Sequence, residues 1–445
     1  MTTELSFAAA DLESLRATLF PSEEERCAVL VASESRRSDG QLRLLVRSIT
    51  YPKPEEYSAH GVDHAELTPA FVAHIAKTAL LARLSLIFVH THPGAHVPAF
   101  SVIDTLGERA LANFLSVRGL KGSHAALVMS LGGLRARLLG TDDEVRVVSI
   151  GAKRVVNFDP ELQEADYSPV FDRQVRAFGR VGQQRLGRLQ IAIVGLGGTG
   201  SIAAQQLIHL GIQRFLLIDP DLIEETNLNR IVGATRSDVG HAKVVSAARY
   251  LHAFDPQVSI ESLVDNVVRD SVARRLADAD VILCCTDSHG SRAVVQQVAY
   301  QYMIPCIDMG STITQQDDAI TGIFGRIQLL APGLPCLWCS ELLDAADVRR
   351  DMMSESERRL DPYIVGGREP APSVISLNGT VVSVAMSMLL GIVAGAPIDA
   401  TQVIYNARAS TLRSVRGKGR PDCFICSLKG VLGWGDSRPL FTRRD

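Results

Sequence analysis

Three groups of residues in this sequence have types and spacings suited to chemistry. The first is His90-Thr91-His92-Pro93, followed by Phe100-Ser101-Val102-Ile103-Asp104. Histidines at i and i+2 project from one face of a strand, so their imidazoles can share one ion. Asp104 at the next helix start offers a third ligand. A set of three leaves one position of a tetrahedral ion for water, as in catalytic rather than structural zinc. Zinc lowers the pKa of that water, and a nearby carboxylate can take its proton. The His-x-His pair alone fits two ordinary histidines at a strand end better than a metal site. The second group is Gly195-Leu196-Gly197-Gly198-Thr199-Gly200-Ser201, between the apolar run Leu189–Val194 and the helical pattern Ile202–Leu210. A strand, a glycine turn and a helix make a phosphate site: the backbone approaches the ligand closely and the helix N-terminus offers free N–H groups. Asp219 and Asp221, about twenty residues further on, stand where a ribose hydroxyl is bound. A dinucleotide oxidoreductase fits these residues as well as any other nucleotide enzyme. The third group is Cys336-Leu337-Trp338-Cys339 with Cys423-Phe424-Ile425-Cys426, four thiolates in two knuckles. That is the layout of a closed zinc site, which ties chain segments together and does no chemistry.

The elements around these groups follow from periodicity. At 445 residues the chain is long enough for two or three domains. In the first part we expect a helix over Ala8–Leu19, strands Cys27–Ser33 and Leu42–Thr50 joined through Ser38-Asp39-Gly40, and a helix capped by Thr68 with Pro69 in its first turn. A buried strand Leu86–Val89 delivers the two histidines, and more strands lie near Ala125–Leu131 and Val145–Ile150. A polar stretch then links two halves: we expect domains at 1–155 and 171–445, with a linker at 156–170. Beyond it, strands and helices alternate through Arg214–Ile218 and Asp280–Asp287, which predicts a doubly wound α/β sheet with ligands at the carboxyl ends of its strands. Arg230 and Lys243 could surround a triphosphate and Asp287 could hold magnesium, as adenylyl transfer needs and hydride transfer does not. Each basic residue alone fits a solvated surface.

Composition narrows the classes. The net charge of −3 implies no general polyanion binding, so no direct nucleic-acid contact is expected. The stretch from Val374 to Ala394 is long and apolar, but Ser376, Asn378, Ser383 and Ser387 inside it need partners, so we read it as a buried helix and expect no membrane. Met1-Thr-Thr-Glu-Leu lacks a basic region followed by an apolar core. Four of the eight cysteines form the two pairs, a pattern of metal binding in a reducing compartment. A cytoplasmic location is expected.

Two resemblances add to this reading. His-Thr-His-Pro followed by Phe-Ser-x-x-Asp resembles the signature of the JAMM/JAB (MPN-type) metallopeptidases, which cleave after the C-terminal glycine of ubiquitin-like proteins. By that resemblance His90, His92 and Asp104 ligate zinc, Glu25 before the strand Cys27–Leu30 is the general base, with Glu24 second in line, and Ser101 helps hold the oxyanion. The interval from His92 to Asp104 is one residue longer than the usual pattern. From about 168 to 430 the chain resembles the ThiF/MoeB/ubiquitin-activating enzymes. Arg173-Gln174 matches the arginine that reaches the nucleotide from the neighbouring subunit. Gly195, Gly197, Gly198, Gly200 and Ser201, then Asp219, Asp221, Asn227, Arg230, Lys243 and Asp287, fall in family order; Ile231 stands where the family has glutamine. Bacterial relatives carry zinc at the positions of the two cysteine pairs.

The resemblance implies a homodimer that uses ATP and Mg2+ to adenylate the C-terminal glycine of a ubiquitin-like or sulfur-carrier protein. An N-terminal zinc (Zn2+) peptidase would act on the same protein, and a conjugating enzyme or sulfur donor would follow. A sulfur-carrier or tRNA-modifying adenylyltransferase whose N-terminal domain only binds is the alternative. No cysteine lies between Cys339 and Cys423, where relatives carry an acceptor thiol. Cys27, Cys284, Cys285 and Cys306 fall in predicted strands, where an inert thiol is expected. The adenylate would pass to a separate thiol or amine, or to Ser354 or Ser356 as an oxyester.

Overall fold

Unbroken apolar runs become strands covered on both faces, and alternating runs become strands with one face wet. In the computed structural model, which describes residues 3–161, 167–317, 319–354, 357 and 372–443, these strands belong to two units. The first comprises Met1–Glu164 with Gln301–Met303 and Val431–Pro439; the second comprises Ala165–Tyr300, Ile304–Gly430 and Leu440–Asp445.

The first unit is built on β1 (Thr3–Ala8), β2 (Cys27–Arg36), β3 (Leu42–Thr50), β4 (Tyr57–His60), β5 (Ala65–Leu67), β6 (Ser85–Thr91), β7 (Ala125–Ser130), β8 (Gly133–Leu138), β9 (Glu144–Ile150) and β10 (Arg154–Phe158), with helices α1 (Ala9–Leu19), α2 (Pro69–Ala82) and α3 (Val102–Val117). Apart from the small β4–β5 hairpin, the strands form one sheet in the order β1-β3-β2-β6-β7-β8-β9-β10, closed on itself by parallel pairing of β1 with β9. One side buries Leu12, Leu15 and Leu19 of α1 against Leu30, Leu44 and Leu127. The other packs Phe71, Ile75 and Ala79 of α2 and Leu115 of α3 on Val29 and Phe88. Strand β1 has no counterpart among the strands expected from periodicity. Its sequence alternates, yet every residue is buried, because Glu4 is neutralised from both sides by Arg43 and Arg154, each at 3.6 Å. Thr68 caps α2, its hydroxyl accepting from Phe71 N at 3.3 Å.

The second unit contains α4 (Asp172–Arg188), β11 (Gln190–Val194), α5 (Gly198–His209), β12 (Arg214–Ile218), α6 (Lys243–Phe254), β13 (Ser259–Leu263), β14 (Val281–Cys284), α7 (His289–Gln301), β15 (Cys306–Gln316), β16 (Ala319–Leu330), α8 (Ala345–Met352), α9 (Ile375–Leu389), β17 (Gln402–Asn406) and β18 (Thr411–Ser414). The sheet order is β13-β12-β11-β14-β15-β16-β17-β18. Strands β13 to β15 run parallel and the last three continue it antiparallel. Strand order reverses between β11 and β14, so a crevice opens above their carboxyl ends. Helix α9 with the turn Leu390–Ala394 is long and apolar enough to cross a membrane. Within the unit it packs on α5 and β15, and its polar groups have partners. Asn378 accepts from Ser311 Oγ (2.8 Å) and donates to Ser373 Oγ (3.0 Å), and Ser383 accepts from Gln206 (3.1 Å).

Candidate functional site

The first cluster is positioned by strand register. In the antiparallel pair β2–β6, Cys27 lies opposite His90, so Glu25, two residues before Cys27, comes opposite His92. Thr91 N donates to Arg26 O at 3.0 Å and His92 N to Met129 O at 2.8 Å, fixing this strand end between β2 and β7. Asp104 enters from α3 through a reciprocal cap. Ser101 N donates to Asp104 Oδ2 (2.6 Å) and Asp104 N to Ser101 Oγ (3.1 Å). Asp104 oxygens then lie 3.3 Å from His90 Nε2 and 3.6 Å from His92 Nε2, and Glu25 Oε1 lies 3.6 Å from His92 Nε2.

The donor set fits a divalent metal. Atoms of His90, His92 and Asp104 lie within 4.8 Å of one another, and His90 Nε2 is buried with no hydrogen-bond partner, an arrangement that costs free energy unless something binds there. Burial pushes Asp104 up, but His90 and the Ser101 cap outweigh it and hold the carboxyl well below its usual range. Burial first, then the charge of His90, lowers His92. Neutral imidazole and ionised carboxylate are the forms that ligate metal. Burial, with Asp104 and Asp63 adding to it, raises Glu25 against the opposing pull of His90. Glu24 is exposed.

The second cluster lies at the switch point. Gly195 has φ +90°, and an added Cβ would lie 2.9 Å from Cys285, at the end of β14. At Gly200 a Cβ would stand 1.8 Å from the Gly195 carbonyl oxygen, whereas at Gly197, which caps α5, it would meet nothing. The turn therefore presses against the sheet on one side and leaves the α5 N-terminus open on the other. Asp219 is buried, and both its oxygens accept from backbone: Leu196 N at 2.6 Å and Asp221 N at 2.8 Å. It locks the turn, which leaves the exposed Asp221 as the acid available to a ligand. Lys243 Nζ lies 2.7 Å from Asp221 Oδ2 and 4.0 Å from Asp219 Oδ1. Arg230 lies over Gly198, its Cδ 3.5 Å from where a Cβ would be, with Nη1 donating to Thr226 O at 2.7 Å. Asn227 is buried and closes the short turn Glu225–Asn227. Ser201 Oγ accepts from Val232 N at 3.0 Å. Asp287 is exposed just past β14. Arg173 is exposed on α4, with no hydrogen bond or ion pair among the described residues, while Gln174 donates to His209 O at 2.7 Å.

The four cysteines Cys336, Cys339, Cys423 and Cys426 bring their sulfurs within 4.8 Å of one another. Arg420 N and Ile425 N donate to Cys339 and Cys423 sulfurs at 3.3 and 3.4 Å, the backbone support a thiolate metal site uses. Ser354 accepts from Glu357 N, and Ser356 lies outside the described residues. Two contributors escaped the sequence reading. Asn378 reaches across to Gly198, where a Cβ would meet its Nδ2 at 2.2 Å; a polar residue within an apolar helix was the available signal. Asp351 of α8 accepts from Ser288 Oγ (2.8 Å) and Gly290 N (3.0 Å), just after Asp287, and nothing in its sequence context marks that reach.

Fold and site define the second unit as a mixed α/β, Rossmann-type domain with its glycine turn at the switch point. Residues 171–425 match the model of the ThiF family, more than half of the chain, and the chain belongs to that family. It is 28% identical to the SAMP-activating enzyme E1 of Haloferax volcanii over 57% of this chain and 86% of that protein. Ubiquitin-like modifier-activating enzyme 5 of Oryza sativa subsp. japonica is 34% identical over 37% of this chain and 40% of its own length. Molybdopterin-synthase adenylyltransferase of Escherichia coli is 28% identical over 58% of this chain and 95% of its own.

Proposed function

We propose that the second unit adenylates the C-terminal glycine of a ubiquitin-like or sulfur-carrier protein, as the names of its relatives suggest. The observation that carries this reading is the open α5 N-terminus with Arg230 over the glycine turn and Lys243 beside Asp221. Phosphates sit on the α5 N–H groups, and Arg230 and Lys243 offset their charge where it grows during transfer. Asp221 takes a ribose hydroxyl. Asp287 would hold magnesium, which when bound neutralises phosphate charge. A carboxylate oxygen of the carrier attacks the α-phosphorus, the bond to the bridging oxygen of the β-phosphate breaks, and pyrophosphate leaves from an acyl adenylate. In a homodimer, Arg173 would reach the nucleotide of the neighbouring copy. The four cysteines would hold a structural zinc.

For the first unit we propose hydrolysis of the bond that follows the carrier's C-terminal glycine, in precursors or conjugates. His90, His92 and Asp104 would hold zinc, which supplies Lewis acidity. Glu25, its carboxyl raised by burial, holds and returns the proton, and the Ser101 hydroxyl donates to the oxyanion. Two activities on one carrier gain from being tethered, because a tail released by one is at high effective concentration for the other.

ATP–pyrophosphate exchange with carriers ending in Gly-Gly tests the first proposal. Exchange that requires both a carrier and Asp287 supports it, and ATP binding without exchange for any carrier refutes it. A zinc count tests the second: two ions per chain, one lost in His90→Ala, is expected. A single ion, retained in His90→Ala, would make the first unit a docking module.

A further inference from the structure

Beyond β14 on the side of the sheet away from the glycine turn, the second unit contains a cavity of about 190 Å³ whose lining includes Arg292, Gly310, Thr312, Phe324, Arg326 and Ile404. Register explains why these residues share one face. Gly310 pairs with Arg326 and Thr312 with Phe324 across β15–β16, and Arg326 pairs with Ile404 across β16–β17. Asp308, two residues before Gly310, lies in the same row of side chains. Arg292 enters from α7, five residues after Asp287.

The charges in this cavity do not balance. Asp308 is 0% exposed, and a single oxygen, Oδ1, accepts from both guanidinium groups: Arg292 Nη1 at 2.9 Å and Arg326 Nη2. Arg292 is anchored further by Nε to Thr286 O (3.0 Å) and Nη2 to Met309 O (3.3 Å). Arg326 Nη1 reaches Gln328 Oε1 at 3.4 Å. A guanidinium carries five N–H donors, so both retain donors to spare. Arg413, opposite Ile404 on β18, is exposed and lies outside the cavity lining. Asp287 lies close enough to favour the charged form of Arg292, but magnesium would claim that acid. Gly310 keeps the space open, since a Cβ there would lie 2.9 Å from Arg292 Nη2. Arg292 and Arg326 thus share one carboxylate within hydrogen-bond distance, Asp308, and their unused donors are what a second carboxylate would meet.

Along the sheet, the glycine turn follows β11, Asp287 follows β14, and the cavity lies over β15 and β16. By strand order it flanks Asp287 on the side away from the glycine turn. We propose that this cavity binds a carboxylate of the carrier's C-terminal segment, with Arg326 and Arg292 as its donors and Phe324 and Ile404 as apolar walls. The inference rests on the adenylation reading for the identity of the carrier. The source is either an acidic side chain upstream of the terminal glycines or the terminal carboxylate before it reacts.

The test is fluorescence anisotropy on the full-length protein with short labelled peptides ending in Gly-Gly. The peptides carry Asp or Asn upstream and a free or amidated end. Arg326→Gln leaves Asp308 paired with Arg292 and charge-balanced. Thr312→Glu, at an exposed position on the rim, supplies the arginines with a tethered carboxylate. We expect Asp peptides to bind wild type about tenfold more tightly than Asn peptides, the scale of one charged hydrogen bond. Both variants should abolish the difference. A preference for the free over the amidated end, lost in both variants, would support the same site with the terminal carboxylate as ligand. No preference for either carboxylate in wild type, or a preference that survives both variants, would overturn the proposal. Pyrophosphate exchange read in parallel separates the two claims. Exchange without carboxylate preference sinks the cavity assignment alone, and carboxylate preference without exchange sinks the adenylation reading alone.

Discussion

Lys243 connects the two acids behind the glycine turn. Its ammonium lies 2.7 Å from exposed Asp221 and 4.0 Å from buried Asp219, so its position is fixed by these two acids. Lys243→Ala should lower pyrophosphate exchange by about 100-fold, the usual effect of removing a preorganised charge from a transition state. A loss of the same size in nucleotide affinity alone would instead assign Lys243 to ground-state binding. Asp238, near the start of α6, makes a prediction about acid stability. Both its oxygens accept from Arg249. That bond first, with Thr235 adding to it and burial opposing, holds the carboxyl well below its usual range. A depressed carboxylate stabilises the fold fully above its ordinary pKa of about 3.9, and the stabilisation is lost as pH falls through the folded value. Thermal unfolding followed against pH should therefore show a decline below about pH 4 that is shallower in Asp238→Asn.

At the scale of elements, the first turn of α3 decides where Asp104 stands. Arg137 on β8 grips the first two turns by a two-pronged ion pair with Glu108 (2.9 and 3.0 Å) and a hydrogen bond to Thr105 Oγ1 (3.0 Å). Its guanidinium also lies 4.0 Å over the Phe100 ring, which neighbours His90. Arg137→Met leaves Glu108 buried and unpaired, so unfolding should be easier by about 3 kcal/mol. Adding Glu108→Leu should recover most of that stability. If the pair positions Asp104, the double variant loaded with zinc should give up any ion bound at His90, His92 and Asp104 to a chelator sooner than wild type loaded the same way. Equal retention would reduce the pair to a structural role. Which parts of this could be read beforehand follows from how local they are. Asp104 and Thr68 announce their helix starts because capping acts over three residues. Glycine spacing and the two cysteine pairs are equally local. The approach of Glu25 to His92 depends on the register of β2 against β6, and Arg137 on the return of β8 to α3, so neither leaves a trace in a short window. Glu4 misleads for the same reason: its partners Arg43 and Arg154 are remote in sequence, and without them an alternating strand cannot be distinguished from an exposed one.

At the scale of the whole chain, the segment Val431–Pro439 belongs to the first unit although it follows the last cysteine knuckle in sequence. Trp434 lies between two guanidinium groups, Arg47 at 3.4 Å and Arg438 at 4.0 Å from its ring centroid. Burial, and then the charge of Arg438, pushes Arg47 down to about 10, so the ring face offsets part of the cost of packing two cations together. The backbone is held as well. Arg47 Nη1 donates to Leu432 O at 3.0 Å, Arg36 N to Asp436 Oδ2 at 2.8 Å, and Tyr302 Oη to Asp436 Oδ1 at 3.0 Å. Gly435 has φ +48°, and a Cβ there would lie 2.4 Å from the Glu34 carbonyl oxygen, so the segment crosses β2 where only glycine passes. The first unit should therefore depend on the segment Val431–Pro439. Trp434→Ala should destabilise it by about 3 kcal/mol, the scale of losing a packed aromatic ring. Truncation after Gly430 should remove hydrogen-exchange protection from β2 and β3 while leaving that of β11 and β14 in place. Unchanged protection of β2 and β3 in the truncated chain would mean that the segment rests on the first unit without supporting it.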